Sequence, residues 1–255
     1  MRWAGAWIVC AAACLVAPLA APLAAEEPWV TAQGQGISAA RFEAPDDSYP
    51  HRIMGTIPER RVLAVRDAQG REVRVDLREG PEPDHVFEDI APRVVDADGD
   101  GRLDVVLVEA DPTLGAQLAV YSLRQGRLVK AAATPHIGTR FRWLAPAAIA
   151  DLNGDGVTDI AYVETPHLGK TLRVWSWAPG GLTEIARLSG VTNHRIGDEV
   201  IWGGLRDCGQ GPEFVVADVG FQRLLAVAFD GPTLAARPLG LRANAVGFDQ
   251  AMTCG

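Results

Sequence analysis

A nine-residue stretch occurs twice in this chain and restricts what the chain can fold into. It reads Asp96-Ala97-Asp98-Gly99-Asp100-Gly101-Arg102-Leu103-Asp104 and then Asp151-Leu152-Asn153-Gly154-Asp155-Gly156-Val157-Thr158-Asp159. Oxygen-bearing side chains stand at positions 1, 3, 5 and 9 of each copy, and glycine stands at position 6, where a loop wrapped around an ion must turn sharply. The backbone carbonyls of Arg102 and Val157, at position 7, add one oxygen each. The pattern suits Ca²⁺, a hard cation that takes about six to eight oxygens. Four carboxylates crowded into the first copy would otherwise repel one another, so two calcium sites are expected.

The residues after each loop select the type of module. A helical calcium hand carries a bidentate Glu at position 12, but Leu107 and Tyr162 stand there. Instead, the loops run into Asp104–Glu109 and Asp159–Glu164, short β-branched runs of strand length. Without the closing Glu, each shell needs water or a neighbouring group. The expected affinity is weak, on the order of 10⁻⁴ to 10⁻³ M.

The loops beat a period. Asp96 and Asp151 are 55 residues apart, and Asp207 comes 56 residues later in a degenerate third copy, Asp207-Cys208-Gly209-Gln210-Gly211-Pro212-Glu213. That copy lacks the middle carboxylates and is expected to bind no calcium. A segment opening with histidine precedes each loop, at His85, His136 and His194. Two further strand-like runs come after it, joined by turns at Gln125-Gly126, Gly180-Gly181 and Asp230-Gly231. A weaker copy opens the array: His51-Arg52-Ile53 echoes His194-Arg195-Ile196, while the loop around Glu43 to Tyr49 has lost its ligand spacing.

Each unit therefore reads as four short antiparallel strands. Such units, repeated at a fixed period and unable to cover their own apolar faces, predict an all-β fold: a small β-propeller of four or five four-stranded blades with calcium-binding loops between strands. The expected layout is one domain over 26–255, with a degenerate repeat at 28–82, repeats at 83–134, 135–192 and 193–242, and a closing strand within 243–255. A linear β-solenoid has much shorter coils. A sandwich would not demand the same loop at the same place each time.

The two Asp-x-(Asp/Asn)-Gly-Asp-Gly-x-x-Asp loops, each leading into an apolar strand, resemble the FG-GAP or VCBS-type repeats of secreted bacterial proteins, related to the blades of the integrin α-subunit propeller. The resemblance spans about residues 83–242, strongly in two repeats and weakly in the flanking ones. It implies a calcium-stabilised propeller, extracellular or periplasmic, with binding surfaces away from the ions. The third loop departs from the pattern, and the mature chain is short for the seven blades common in the family.

The N-terminus bears on compartment. Arg2, an apolar run from Trp3 to about Leu19, and the small-residue segment ending at Ala25 read as a secretory signal peptide over 1–25, cut after Ala25. Pro18 and Pro22 break the run, which speaks against an uncleaved anchor. Neither Cys10 nor Cys14 is preceded by the pattern that lipid attachment prefers. Cys208 and Cys254 are left as an even pair in an oxidising compartment, where a disulfide is the default. No later stretch is long and apolar enough to span a bilayer. The net charge of −8 argues against nucleic acid as a partner.

Two function classes remain. The first is a non-enzymatic binding or scaffolding module that recognises a protein or glycan, its calcium structural. The second is an envelope hydrolase or lyase whose site is a channel ringed by His51, His85, His136 and His194, with a transition metal or substrate held there. Recurrence at equivalent positions favours the plainer reading, in which each histidine serves its own junction. His167 lies outside the pattern. Trp143, Trp175, Trp177 and Trp202, with Phe141 and Tyr162, are expected in the core between units rather than on a sugar platform. Arg140 and Arg142 flank Phe141 in strand-like alternation. No nucleophile elbow, phosphate loop, zinc helix or dinucleotide fingerprint is present.

Overall fold

The computed structural model describes residue 1 and residues 27–254. The expected signal segment, residue 1 apart, lies outside the described residues, as do Cys10 and Cys14. The described chain is all-β apart from short helical turns.

Its first sheet has nine strands: β1 (Val30–Thr31), β2 (Gln35–Asp46), β3 (Glu59–Asp67), β4 (Glu72–Asp76), β5 (Val86–Phe87), β6 (Arg93–Val95), β7 (Arg102–Asp111), β8 (Gly115–Arg124) and β9 (Arg127–Ala133). It contains two antiparallel sets, β2-β3-β4 and β6-β7-β8-β9, with β5 pairing to both β3 and β7. The second sheet is a four-stranded antiparallel meander of β10 (Leu144–Ala150), β11 (Asp159–Glu164), β12 (Thr171–Ala178) and β13 (Gly181–Ser189). In the third, β14 (Val191–Thr192) and β15 (Gly204–Asp207) both pair with β16 (Pro212–Asp218), which continues through β17 (Arg223–Phe229) to β18 (Leu234–Arg242).

Alternation along the central strands explains how the units stack. On β7, Val106 and Val108 face one core while Val105 and Leu107 face another. The first of these cores also receives Ile160 and Tyr162 of β11, and the second receives Leu63 and Val65 of β3. The opposite face of β11, with Ala161 and Val163, meets Phe214 and Val216 of β16. The two middle units, β6–β9 and β10–β13, are thus apolar on both faces and bury them against their neighbours in chain order, because period-two alternation puts successive residues on opposite faces. The aromatic residues expected in the core are largely there: Trp143, Tyr162 and Trp175 are buried in the core shared by β7 and β11, with Phe141 and Trp177 packed partly against it.

The closing strand is not formed. Residues Ala245–Met252 are instead a helix, α1. Asn244 caps it by accepting a hydrogen bond from the Gly247 backbone N–H at 2.9 Å. Phe248 and Ala251, three residues apart and hence on one helical face, are buried against Val215 and Ala217, the outer face of β16. The run Asn244-Ala245-Val246-Gly247-Phe248-Asp249 resembles the start of another unit, but its own Asn244 caps a helix and the apolar face on β16 is covered by that helix.

Cys208 and Cys254 form the expected disulfide, with Cα atoms 5.7 Å apart and a sequence separation of 46. It ties the degenerate third loop to the end of α1. In that loop, Asp207 accepts hydrogen bonds from the backbone N–H groups of Gly209 and Gly211. Loops of this size support a contribution of about 4 kcal/mol. Replacing both cysteines by serine is expected to lower unfolding stability by that amount in urea melts, and an unchanged midpoint would show that the bridge does not constrain the unfolded chain.

Candidate functional site

The two acidic loops fold alike. In the first, Asp96 accepts from the backbone N–H of Gly99 and Gly101, both at 2.9 Å, and Asp100 accepts from Arg102 at 2.8 Å. In the second, Asp151 accepts from Gly154, Asp155 and Gly156, and Asp155 from Val157. Glycine is required at position 6, since Gly101 and Gly156 have φ of +82° and +83°. One carboxylate oxygen from each of Asp96, Asp98 and Asp104 comes within 4.8 Å of the others.

The acid at position 9 is buried in both loops because it lies within an inner strand of its sheet, Asp104 near the start of β7 and Asp159 at the start of β11. Asp104 is 4% exposed and Asp159 fully buried. Each also accepts a hydrogen bond from the residue after the loop's first aspartate, Ala97 at 3.2 Å and Leu152 at 3.3 Å. Burial pushes the Asp104 carboxyl up to about 6, and the nearby charges of Asp98 and Asp100 add to the effect. Burial likewise raises Asp159, whose Oδ1 has no hydrogen-bond partner among the described residues. The loops also touch: the Thr158 hydroxyl donates to the Asp96 carbonyl at 3.1 Å.

The histidines of the four equivalent segments have unlike partners. His85 lies between two carboxylates, Nδ1 at 2.5 Å from Glu109 and Nε2 at 3.0 Å from Asp111, and its ring packs edge-on against His136 at 5.4 Å. His136 donates from Nδ1 to the Gly115 carbonyl at 2.8 Å. His51 pairs through Nδ1 with the buried Glu88 and stacks on Phe141 at 5.0 Å. His194 bonds the Asp198 carbonyl and His167, both at 2.9 Å. Among the described residues, no cluster of three or more potential metal ligands includes two of these histidines.

His51 and His167 line one cavity of about 290 Å³ with Ile53, Phe141, Trp143 and Ile196. Arg142 reaches its wall while donating to the Phe141 carbonyl at 3.2 Å, and the Arg140 guanidinium lies 4.5 Å over the Phe141 ring.

Comparison with known families settles the class of repeat: an FG-GAP-like repeat model matches residues 93–162. The chain contains an FG-GAP-like repeat. The matched segment runs from β6 through the first acidic loop, the β7–β8–β9 set and the second acidic loop into β11, so it holds both strong copies, while the weaker flanking units fall outside it. A comparison with curated proteins finds no match. FG-GAP repeats of this integrin-like kind point to a binding or interaction module. Among the described residues, no helix is long and apolar enough to cross a membrane.

Around the FG-GAP-like segment, sequence reasoning missed several buried acids. Glu109 is fully buried on β7 and receives His85, Lys130, Tyr121 and Gln117. Glu88 is also fully buried, and burial raises its carboxyl to about 7. Glu59 is 1% exposed, with neither carboxylate oxygen partnered among the described residues. The signal that could have found them was an acid inside or beside a β-branched run, such as Val108-Glu109-Ala110.

Proposed function

We propose that the chain is a secreted, calcium-stabilised FG-GAP-repeat module, its sheets set as blades around an axis, that recognises a protein or glycan through surfaces away from the ions. The observation that carries the calcium half is the gathering of Asp96, Asp98 and Asp104 within 4.8 Å, with Asp104 buried at the strand entrance. Burying a carboxylate beside others of like charge is costly unless a cation compensates. The partnerless, buried Asp159 Oδ1 makes the same demand in the second loop.

Asp96, Asp98, Asp100 and Asp104 with the Arg102 carbonyl would hold one ion, and Asp151, Asn153, Asp155 and Asp159 with the Val157 carbonyl the other. Calcium there supplies charge compensation and pins each loop to its strand. No acid or base in these loops stands apart from the ligand set to drive a reaction, which favours a structural ion. The disulfide fits an oxidising compartment.

Calorimetric titration of chelator-treated protein with Ca²⁺ tests the reading. Two sites with dissociation constants on the order of 10⁻⁴ M are expected. Asp104→Asn and Asp159→Asn should each remove one site, because only one loop loses its buried charge, and leave the other still binding but weakened through the Thr158–Asp96 contact. Absence of saturable calcium uptake by the wild-type protein would overturn the assignment.

A further inference from the structure

None of the residues around the histidine cavity belongs to an acidic loop, and its chemistry is fixed by a hydrogen-bond chain that begins at a backbone carbonyl. The Asp198 carbonyl oxygen only accepts, so His194 Nε2, 2.9 Å away, carries the hydrogen. Burial lowers the pKa of His194 and keeps the ring neutral, which leaves Nδ1 as a lone pair. His167 Nε2, 2.9 Å from that lone pair, must donate to it. Burial and the proximity of His194 and His51 bring His167 down to about 4, so it too is neutral. Its Nδ1 is therefore a bare acceptor, and among the described residues nothing donates to it.

The second polar group is also held from behind. His51 is engaged through Nδ1 by Glu88, and its Nε2 has no partner among the described residues. Apart from Arg142 and Thr165, the remaining walls are apolar, and two of them are flat rings. His51 stacks on Phe141 with an interplanar angle of 25°, and His167 lies parallel to Trp143 within 4°. Ile196, at the rim, is 69% exposed, and Leu168 beside it 63%. Two lining residues, Phe141 and Thr165, hold φ of +57° and +43°, a region costly for aromatic and β-branched side chains. Strain of that kind persists only where the surroundings enforce it, and it gathers at ligand sites.

An apolar cavity with a few oriented polar atoms is the usual form of a small-molecule site. A hydrogen-bond acceptor left open among aromatic walls calls for a ligand that combines a flat ring with a single donor. About 150 Å³ of apolar cavity suffices for benzene. The 290 Å³ present here leaves room for a substituted or fused ring.

We propose that this cavity binds a small phenol, its ring against Phe141 and Trp143 and its hydroxyl donating to His167 Nδ1. This goes beyond the calcium-dependent module and does not depend on it.

The probes are 2-naphthol and its methyl ether, 2-methoxynaphthalene, titrated into the full chain in excess calcium and followed by calorimetry. Saturable one-to-one binding of 2-naphthol is expected, with the ether at least about tenfold weaker because it has no hydrogen to donate. His167→Phe preserves a ring and removes the acceptor, so the two probes should then bind equally. The proposal is overturned if wild-type protein binds neither probe, binds both alike, or keeps its preference in the variant. Nitrogen NMR of the wild-type histidines gives a check independent of any variant's folding. His167 is expected as the Nε2–H tautomer with Nδ1 bare, and an Nδ1–H signal would overturn the assignment.

Discussion

Removing calcium with a chelator is expected to lower the melting temperature by about 10 to 20 °C relative to the same protein in about 10 mM Ca²⁺. A ligand that binds only the folded state at about 100 times its dissociation constant stabilises by about 2.7 kcal/mol per site. Two sites with constants near 10⁻⁴ M give about 5 kcal/mol, and for a chain of this size each kcal/mol moves the midpoint by about 2 to 4 °C. The same concentration of Mg²⁺ should restore little, because Mg²⁺ gives up its water reluctantly and demands a tighter octahedral shell. The loops' contact through Thr158 and the Asp96 carbonyl adds a second readout. In a chelator-free titration, Asp104→Asn should weaken calcium binding at the intact second loop by a measurable factor, since the two turns brace one another. An unchanged melting temperature after chelation would remove the calcium from the account and leave the acidic turns held by their backbone hydrogen bonds alone.

The parts of this molecule that were legible in its sequence are those whose determinants lie close together along the chain. Both loops are self-contained: Asp96 and Asp151 find backbone N–H partners within five residues, Asp104 and Asp159 find theirs seven residues back, and the spacing of acids and glycines fixes that geometry. The strand after each loop is equally local, and β11 spans Asp159–Glu164 as its β-branched run implied. The disulfide needed only two cysteines and a compartment. By contrast, α1 is set by what it covers, since Phe248 and Ala251 find an open face on β16 that no short window of sequence displays.

The histidines show the same divide. Their recurrence marks equivalent positions but not equivalent chemistry, because each partner comes from a strand or loop elsewhere. His85 meets Glu109 and Asp111, His136 the Gly115 carbonyl, His51 Glu88, and His194 the Asp198 carbonyl. His167, which stands outside the period, completes the cavity with His51. A period in sequence fixes where a side chain starts, and the packing of neighbouring units decides what it meets.

Glu109→Gln is expected to destabilise the fold by about 3 to 5 kcal/mol, the cost of breaking a buried ion cluster by removing one partner. The wild-type carboxylate is inaccessible to water and accepts from His85 at 2.5 Å, from the Lys130 ammonium and the Tyr121 hydroxyl at 2.7 Å, and from Gln117 at 3.4 Å. An amide replaces one acceptor oxygen with a donor facing other donors, and it leaves the Lys130 charge to Glu82 alone. The effect should depend on pH in a defined sense. Burial opposes charge on His85, but its bond to Glu109 and the nearby Glu82 outweigh that and raise its pKa above the ordinary imidazole value. The stabilisation from that pairing is complete below the ordinary imidazole range and fades as pH rises through the raised value. Burial also opposes the Glu109 charge, yet His85 and Lys130 hold its pKa below the ordinary carboxylate value. That contribution is present above the ordinary carboxylate range and is lost as pH falls through the lowered value. The gap between wild type and variant should therefore be widest from about pH 5 to pH 6 and shrink on both sides, as read from urea midpoints across about pH 3 to 9. A gap below about 1 kcal/mol, or one that stays constant with pH, would mean that the charges at Glu109, His85 and Lys130 do not hold β7, β8 and β9 together.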